Sequence, residues 1–383
     1  MSLVFSPLCL LEETTMKKCI KGLTLISTVM LASQSFAAGD HYIQPKLNNT
    51  IGNVLNSLGN SCQNFKADTE NDHALEIGDH HQSFELSHRW SDGSHTAFIA
   101  HSETGNNEYG QILAFTMGSN MFDSNNDIVN ADKTMPLRNK NRITEQHPSG
   151  MAWLPAPSNT GIDRGYLFIA SENQRKVRVR EVSRTEDLGE IGVIDQNNLN
   201  KITDVWLAQN GNYTWLMLHH MGQDKGTAYK ALTHDLFQYG TSAEGDINLN
   251  AFQESNMYST PSNTGCNQSI GQNAQLVQDS TNKWYVVHSY TGGTICGTNI
   301  GANHVKAYSA NFNNDKFSFS TNSNPTASTT IGNTVGPTDK GADGASGFRV
   351  TKNGRLVGYF GAQYAYSSFF NWKSRVRECR SAK

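Results

Sequence analysis

The stretch ADGASGFRVTKNGRLVGYF, residues 342–360, decides the fold, because its order of parts recurs along the chain. A small or polar opening leads into an apolar strand. A polar turn follows, then a more strongly apolar strand, and further on a third strand. The second strand reads TAFIAHSE at 96–103, YLFIASEN at 166–173, WLMLHHMG at 215–222, WYVVHSYT at 284–291 and RLVGYFGA at 355–362. Aligned on Ala100, Ala170, Leu218, Val287 and Phe360, the copies recur at intervals of about 65 residues. The turns before these strands hold Asp92-Gly93, Asp163-Arg164-Gly165, Asn210-Gly211, Ser280-Thr281-Asn282 and Asn353-Gly354. Such residues take a positive φ at little cost.

Third strands follow in four copies: GQILAFTM at 110–117, KVRVREVS at 176–183, TAYKALTHDL at 227–236 and HVKAYSANF at 304–312. In KVRVREV the alternation puts Val177 and Val179 on one face and charges on the other, the mark of a half-exposed outer strand. The second strands are more continuously apolar, as strands covered on both faces must be. Small sheets that cannot bury both faces alone do so by packing radially, each covering the next. The expectation is an all-β chain: a β-propeller with four-stranded antiparallel blades. Five copies nearly fill the mature chain, with the propeller domain read as residues 79–383. Six blades follow only if one is concealed in the weakly patterned stretches 120–145 or 236–262. A β-sandwich, or two β-domains, is the rival; it accounts for the strands but not for their repeated order. IGNVLNSL, 51–58, has helical spacing and reads as a short plug or cap.

Residues 16–37 have the parts of a secretory signal peptide. Lys17, Lys18 and Lys21 precede an apolar run, 23–32, too short to span a bilayer. Ser35 and Ala37 prepare a cut before Ala38. Residues 1–15 then read as an upstream start extension, and 38–78 as an N-terminal segment. The expected destination is the periplasm or the exterior. With 31 basic against 34 acidic residues, there is no basic field for nucleic acid and no polybasic surface for anionic membranes. No transmembrane segment is expected in the mature chain. That mature part keeps Cys62, Cys266, Cys296 and Cys379. An even count in an exported chain predicts disulfides, in one of three pairings. Cys266–Cys296, nearest in sequence, and Cys62–Cys379, tying the two ends, are the favoured pairs. Zinc held by cysteine would want closely spaced ligand pairs, which the sequence lacks.

Three blade openings carry a resemblance: DHHQSFELS at 79–87, HPSGMAWLP at 147–155 and GASGFRVTKNGRLV at 344–357. They resemble exported bacterial β-propeller proteins with openings of the form His-Gln-Gly and His-Pro-Gly-Gly, across most of 79–361. That group has no established activity, so the resemblance implies fold and export. Ser83 and Ser149 stand where that group has glycine. Five-bladed propellers at large include glycosidases and sugar-binding lectins, a likeness of fold alone.

In a propeller the innermost strands line a central channel, and ligands bind at one mouth. The openings should converge there, bringing His81, Gln82, His147, Asn273 and Ser346 together as a ligand-binding set beside Thr203 and Gln272. The set is rich in hydrogen-bonding groups. It suits a glycan or small polar ligand, and equally a water-filled channel. The second strands end in His101, Ser102, Glu172, His219, His220 and His288. His220 and His288 are the candidate ligands of a divalent metal, the one cofactor considered; three or four donors would have to lie within about 2.0–2.6 Å of it. Hydrolysis of a glycosidic bond needs two carboxylates, about 5–5.5 Å apart for retention or about 6.5–9.5 Å for inversion. Asp79, Glu172, Asp204 and Asp343 occupy repeat-equivalent inner positions. Asp204, Glu172 and Asp343 are the catalytic candidates, Asp204 foremost because Trp206 beside it offers a ring for a sugar face. The plain alternative is that each carboxylate caps a turn and Trp206 is core. No GxSxG elbow, HExxH pair, P-loop or dinucleotide motif appears. Three functions stay open: binding of a glycan or small polar ligand, hydrolysis of it, or a scaffold whose outer loops bind a protein partner.

Overall fold

The computed structural model describes residues 46–382 apart from 69–79, 103–109, 125–128, 130–133, 144–146, 158–162, 172–173, 221–223, 244, 262–273, 292–302, 321–323, 332–345 and 366–371. The signal-peptide and start-extension expectations, and the pair Cys266–Cys296, lie outside the described residues. A helix, α1 (Ile51–Ser57), and a strand, β1 (Ser61–Asp68), come first. Next, β2 (His80–Leu86), β3 (His95–Ser102), β4 (Gly110–Met117) and β5 (Thr134–Ile143) pair antiparallel in order. The run repeats in β6 (Pro148–Pro155), β7 (Arg164–Ser171), β8 (Lys176–Ser183) and β9 (Asp187–Asp195). It repeats again in β10 (Asp204–Asn210), β11 (Tyr213–His220), β12 (Lys225–Leu232) and β13 (Gln253–Ser259), with a one-turn helix α2 (Thr233–Leu236) after β12. Then come β14 (Ala274–Gln278), β15 (Trp284–Thr291), β16 (Asn303–Asn313) and β17 (Lys316–Phe319), with β18 (Ala327–Ile331) also pairing along β16. The last run is β19 (Ser346–Val350), β20 (Leu356–Ala365) and β21 (Trp372–Arg380), and β1 supplies its fourth strand.

The first strands of these runs pack against one another in cyclic order: β2 on β6, β6 on β10, β10 on β14, β14 on β19, and β19 back on β2. Sheets radiating from a ring of inner strands make a β-propeller. The stretches 120–145 and 236–262 contribute the outer strands β5 and β13. Positive φ falls at Gly93, Gly211, Asn282 and Gly354, in four of the five turns read from the sequence. Val177 and Val179 of β8 point into the core, while the charged residues between them stay partly exposed.

The seam between last and first sheets is hydrogen-bonded at both edges. Ser346 pairs with Ser83 at the inner edge, and β1 runs parallel to β5 at the outer edge. Cys62 and Cys379 are opposed in the β1–β21 register and form a disulfide across 317 residues of chain. A strand borrowed from the other terminus, locked covalently, closes the ring. Helix α1 does not plug the channel. Its apolar face, Ile51, Val54 and Leu55, packs with Leu47 and Leu58 against Val277, Val287, Val305, Ile331 and Phe360. It is a wedge between the sheet of β14–β18 and that of β19–β21.

The small residues in the openings have a steric cause. Inner strands crowd at the axis, and a Cβ at Gly150 would lie 1.9 Å from Asp204 Oδ1. One at Gly347 would lie 2.0 Å from the Phe84 carbonyl oxygen. A side chain at either place would push neighbouring sheets apart.

Candidate functional site at the channel mouth

The inner strands begin at one end of the channel, where several polar groups lace one sheet to the next. The Ser83 hydroxyl donates to the Ser149 carbonyl, joining β2 to β6. Gly150 N–H donates to the Thr203 carbonyl at 3.0 Å, joining β6 to β10. The Ser289 and Ser346 hydroxyls bond to each other between β15 and β19. These inner edges have no other strand to satisfy them, so the openings carry short polar residues that do.

Asp204 is the most committed of them. Its Oδ1 accepts from Val205 N–H at 2.9 Å. Its Oδ2 accepts from the Trp206 indole at 2.6 Å and from Ala274 N–H of the next sheet at 2.8 Å. The side chain is wholly buried. Burial pushes its pKa well above the usual carboxylate range, outweighing the three donors. Trp206 is also wholly buried, packed with Tyr258, Phe317 and Phe319. The ring expected to offer a sugar face is core, and it spends its N–H on Asp204.

His101, His219 and His288 stand opposite His81, Asp204 and Ala274 in their hairpins, and all three are buried. His219 stacks on Trp206 and His288 on Tyr308, with centroids 5.9 and 5.6 Å apart. Burial, with repulsion from Lys306 and His219, lowers the His288 pKa to about 3. Both rings pack in the blade interior, and that of His288 stays neutral there. Among the described residues no three His, Cys, Asp or Glu side chains are grouped so as to hold a metal ion. Gln82 and Ser346 are buried at the mouth, and His147 is half-buried. Glu172, Asp343, Asn273 and Gln272 lie outside the described residues. So do the side chains of Ser102, His81 and His220, whose backbones lie in β3, β2 and β11.

Four further residues belong to this site. The hydroxyls of Ser149 and Ser171 are buried and have no hydrogen-bond partner among the described residues. Ser171 ends β7 opposite Pro148, beside Ser149. Further along β2, Glu85 accepts from Leu86 N–H at 2.8 Å and from the backbone N–H of Trp153 on β6. It is half-buried. Its carboxyl sits between β2 and β6, near Asp204. Desolvation, with repulsion from Asp204, raises its pKa to about 8. Gln275 of β14 is half-buried as well. A signal for Glu85 was present: a lone carboxylate between Phe84 and Leu86 in an inner strand has few reasons to be there.

No protein-family model matches this sequence, and no curated protein matches it. Among solved structures it is similar to an exo-β-1,3-galactanase from Clostridium thermocellum, at 9% identity and a TM-score of 0.39, over 72% of this chain and 55% of that one. It is similar to a GH43 β-1,3-galactosidase bound to galactodeoxynojirimycin, at 9% identity and a TM-score of 0.41, over 67% of this chain and 79% of the other. A GH32 β-fructofuranosidase from Bombyx mori, in complex with sucrose, is similar at 11% identity and a TM-score of 0.43, over 78% and 60%. The chain thus spans just over half the length of the galactanase.

Proposed function

We propose that the five sheets are the full set of blades of an exported five-bladed propeller, and that its channel mouth binds a glycan or another polyhydroxylated ligand. One observation carries this. Several polar groups at the mouth are consumed in lacing the sheets, yet the Ser149 and Ser171 hydroxyls are each buried without a partner among the described residues. Buried hydroxyls are rarely left so; a ligand with many hydroxyls supplies what they lack. The test is calorimetric titration with a panel of β-linked gluco-, xylo- and galacto-hexasaccharides. Binding is expected, and Ser149→Val or Ser171→Val should weaken it by about 1–3 kcal/mol, about five- to 150-fold. Heat from no member of the panel, or affinity indifferent to both substitutions, overturns the proposal.

A second reading, hydrolysis of the same ligand, is favoured by Glu85. A half-buried carboxyl that keeps its proton to about pH 8 has what a general acid needs at neutral pH: a proton to give to a leaving oxygen. Asp204, with all its donors in place, positions strands instead. In this reading Glu85→Gln abolishes release of new reducing ends from the panel while binding persists. A channel that binds and never turns over keeps its affinity in that variant and has no turnover to lose.

A further inference from the structure

A separate cluster sits at the opposite end of the same strands. Asp204 and Ala274 begin β10 and β14 at the mouth; Asn210 and Gln278 end them, opposite Tyr213 and Trp284. There Tyr213, Trp284 and Phe312 are each half-buried around Trp215, which is 2% exposed. The Phe312 ring centre lies 4.9 Å from that of Trp215 and 5.3 Å from that of Trp284. Lys230 Nζ stands 4.8 Å from the Tyr213 ring centre and 5.9 Å from that of Trp215. It also meets the exposed Asp315 carboxylate at 3.1 Å.

The indole of Trp215 is the anomaly. Elsewhere this fold gives its buried indoles an acceptor: Trp90 donates to Thr96 at 3.0 Å, Trp153 to His88 at 3.1 Å and Trp206 to Asp204 at 2.6 Å. Trp215 Nε1 is buried with no acceptor among the described residues. The group that folding leaves unserved lies beneath the three half-exposed rings and a flexible lysine.

We propose that this cluster is a saccharide-binding site on the face away from the mouth, where a pyranose ring lies against Tyr213, Phe312 and Trp284 and a hydroxyl oxygen accepts from Trp215 Nε1. The chemistry selects the occupant. A pyranose presents an apolar C–H face to aromatic rings and a rim of hydroxyls to polar groups. The rim here has both kinds: the Lys230 ammonium donates and the Asp315 carboxylate accepts. An apolar peptide would leave that ion pair to be desolvated without replacement. Lys230 is the element that yields, since its long side chain rather than a rigid ring covers the Tyr213 face. The site does not depend on what binds at the mouth.

The test uses the whole protein, labelled with 15N, titrated with the hexasaccharide panel while its six tryptophan indoles are followed by NMR. The Trp215 and Trp284 resonances are expected to move, the former downfield as its N–H gains an acceptor. Tyr213→Ala and Trp284→Ala should each weaken that binding at least tenfold, while Ser149→Val at the mouth leaves it unchanged. Trp215→Phe removes the donor and should abolish the selectivity among sugars; if it does not fold, the two half-exposed substitutions decide alone. Three results overturn the proposal: no movement of the Trp215 indole with any sugar, movement that survives both alanine variants, or movement caused by short peptides and by no saccharide.

Discussion

Replacing Glu85 by glutamine should stabilise the protein at alkaline pH, which isolates the cost of keeping a carboxyl between β2 and β6. The folded protein holds the Glu85 proton to about pH 8, whereas an unperturbed glutamate releases it near 4.5. Between those values the folded state binds more protons than the unfolded one. Stability therefore falls as pH rises through that window, and the full penalty is present above pH 8. With about 1.4 kcal/mol per pH unit, the loss between pH 5 and pH 9 reaches about 4 kcal/mol. The side chain is only half-buried and solvent screens part of it, so about 2–4 kcal/mol is expected. Glutamine has almost the same shape and keeps a carbonyl for the Leu86 and Trp153 N–H groups, but it cannot ionise. Urea denaturation at pH 5, 7 and 9 reads the difference. The two proteins should be close at pH 5 and diverge steadily, with the variant ahead at pH 9. Parallel curves would show that Glu85 titrates as an ordinary surface carboxylate, and would remove the general acid with it.

Five other outcomes follow from the same structure. Gly150→Ala places a methyl against Asp204 and should cost about 1–3 kcal/mol in thermal melts. Gly52→Ala, in α1 with open space around it, should gain up to about 1 kcal/mol; equal effects would refute the crowding at the axis. Asp204→Asn turns an amide N–H₂ toward a buried donor and should cost about 1–3 kcal/mol, seen as a lower denaturation midpoint with the mouth's remaining groups intact. Reducing the Cys62–Cys379 bridge, or replacing both cysteines by serine, should cost up to about 5 kcal/mol, because the loop it closes is nearly the whole domain. An unchanged midpoint would mean that the β1–β21 ladder alone holds the ring. His288 works in the opposite direction to Glu85. Its imidazole stays neutral to about pH 3 when folded, so stability is lost as pH falls below about 6.5, by about 2 kcal/mol at pH 5; His288→Gln should flatten that acid limb of a Tm–pH profile.

The sequence carried the blades because each blade's pattern is local. Val177 and Val179 reveal a half-exposed strand by alternation alone, and Asn353-Gly354 marks its turn whatever the rest of the chain does. Even the long-range link Cys62–Cys379 was legible, since a ring needs its ends tied and the cysteines lay at them. The site was harder, because it depends on what neighbouring sheets do to one another. Asp204 looked free beside Trp206; only the approach of Ala274 N–H from the next sheet shows that its oxygens are spent. Helix α1 was correctly placed by its spacing, but its destination between two sheets depends on Val287 and Ile331, far away in sequence. Glu85 was passed over for a related reason. A carboxylate inside a strand acquires its significance from burial, which one strand cannot display.

That difference gives a rule for choosing residues at the axis of this ring. Every sheet must hydrogen-bond its inner edge to the next, and short polar side chains are the cheapest means within so little space. A serine or aspartate at a blade opening is therefore expected there with or without a ligand, as Ser83, Ser346 and Asp204 illustrate. What distinguishes function is a polar group left over once the lacing is complete. Ser149 and Ser171 are left over as partnerless hydroxyls among the described residues. Glu85 differs in another sense: it laces β2 to β6 through Trp153 N–H, yet it keeps a proton that lacing does not need. If Ser83→Ala weakened ligand binding as strongly as Ser149→Val while leaving the denaturation midpoint untouched, lacing and recognition would not be separable in this way, and the assignment of the mouth would have to begin again from the openings.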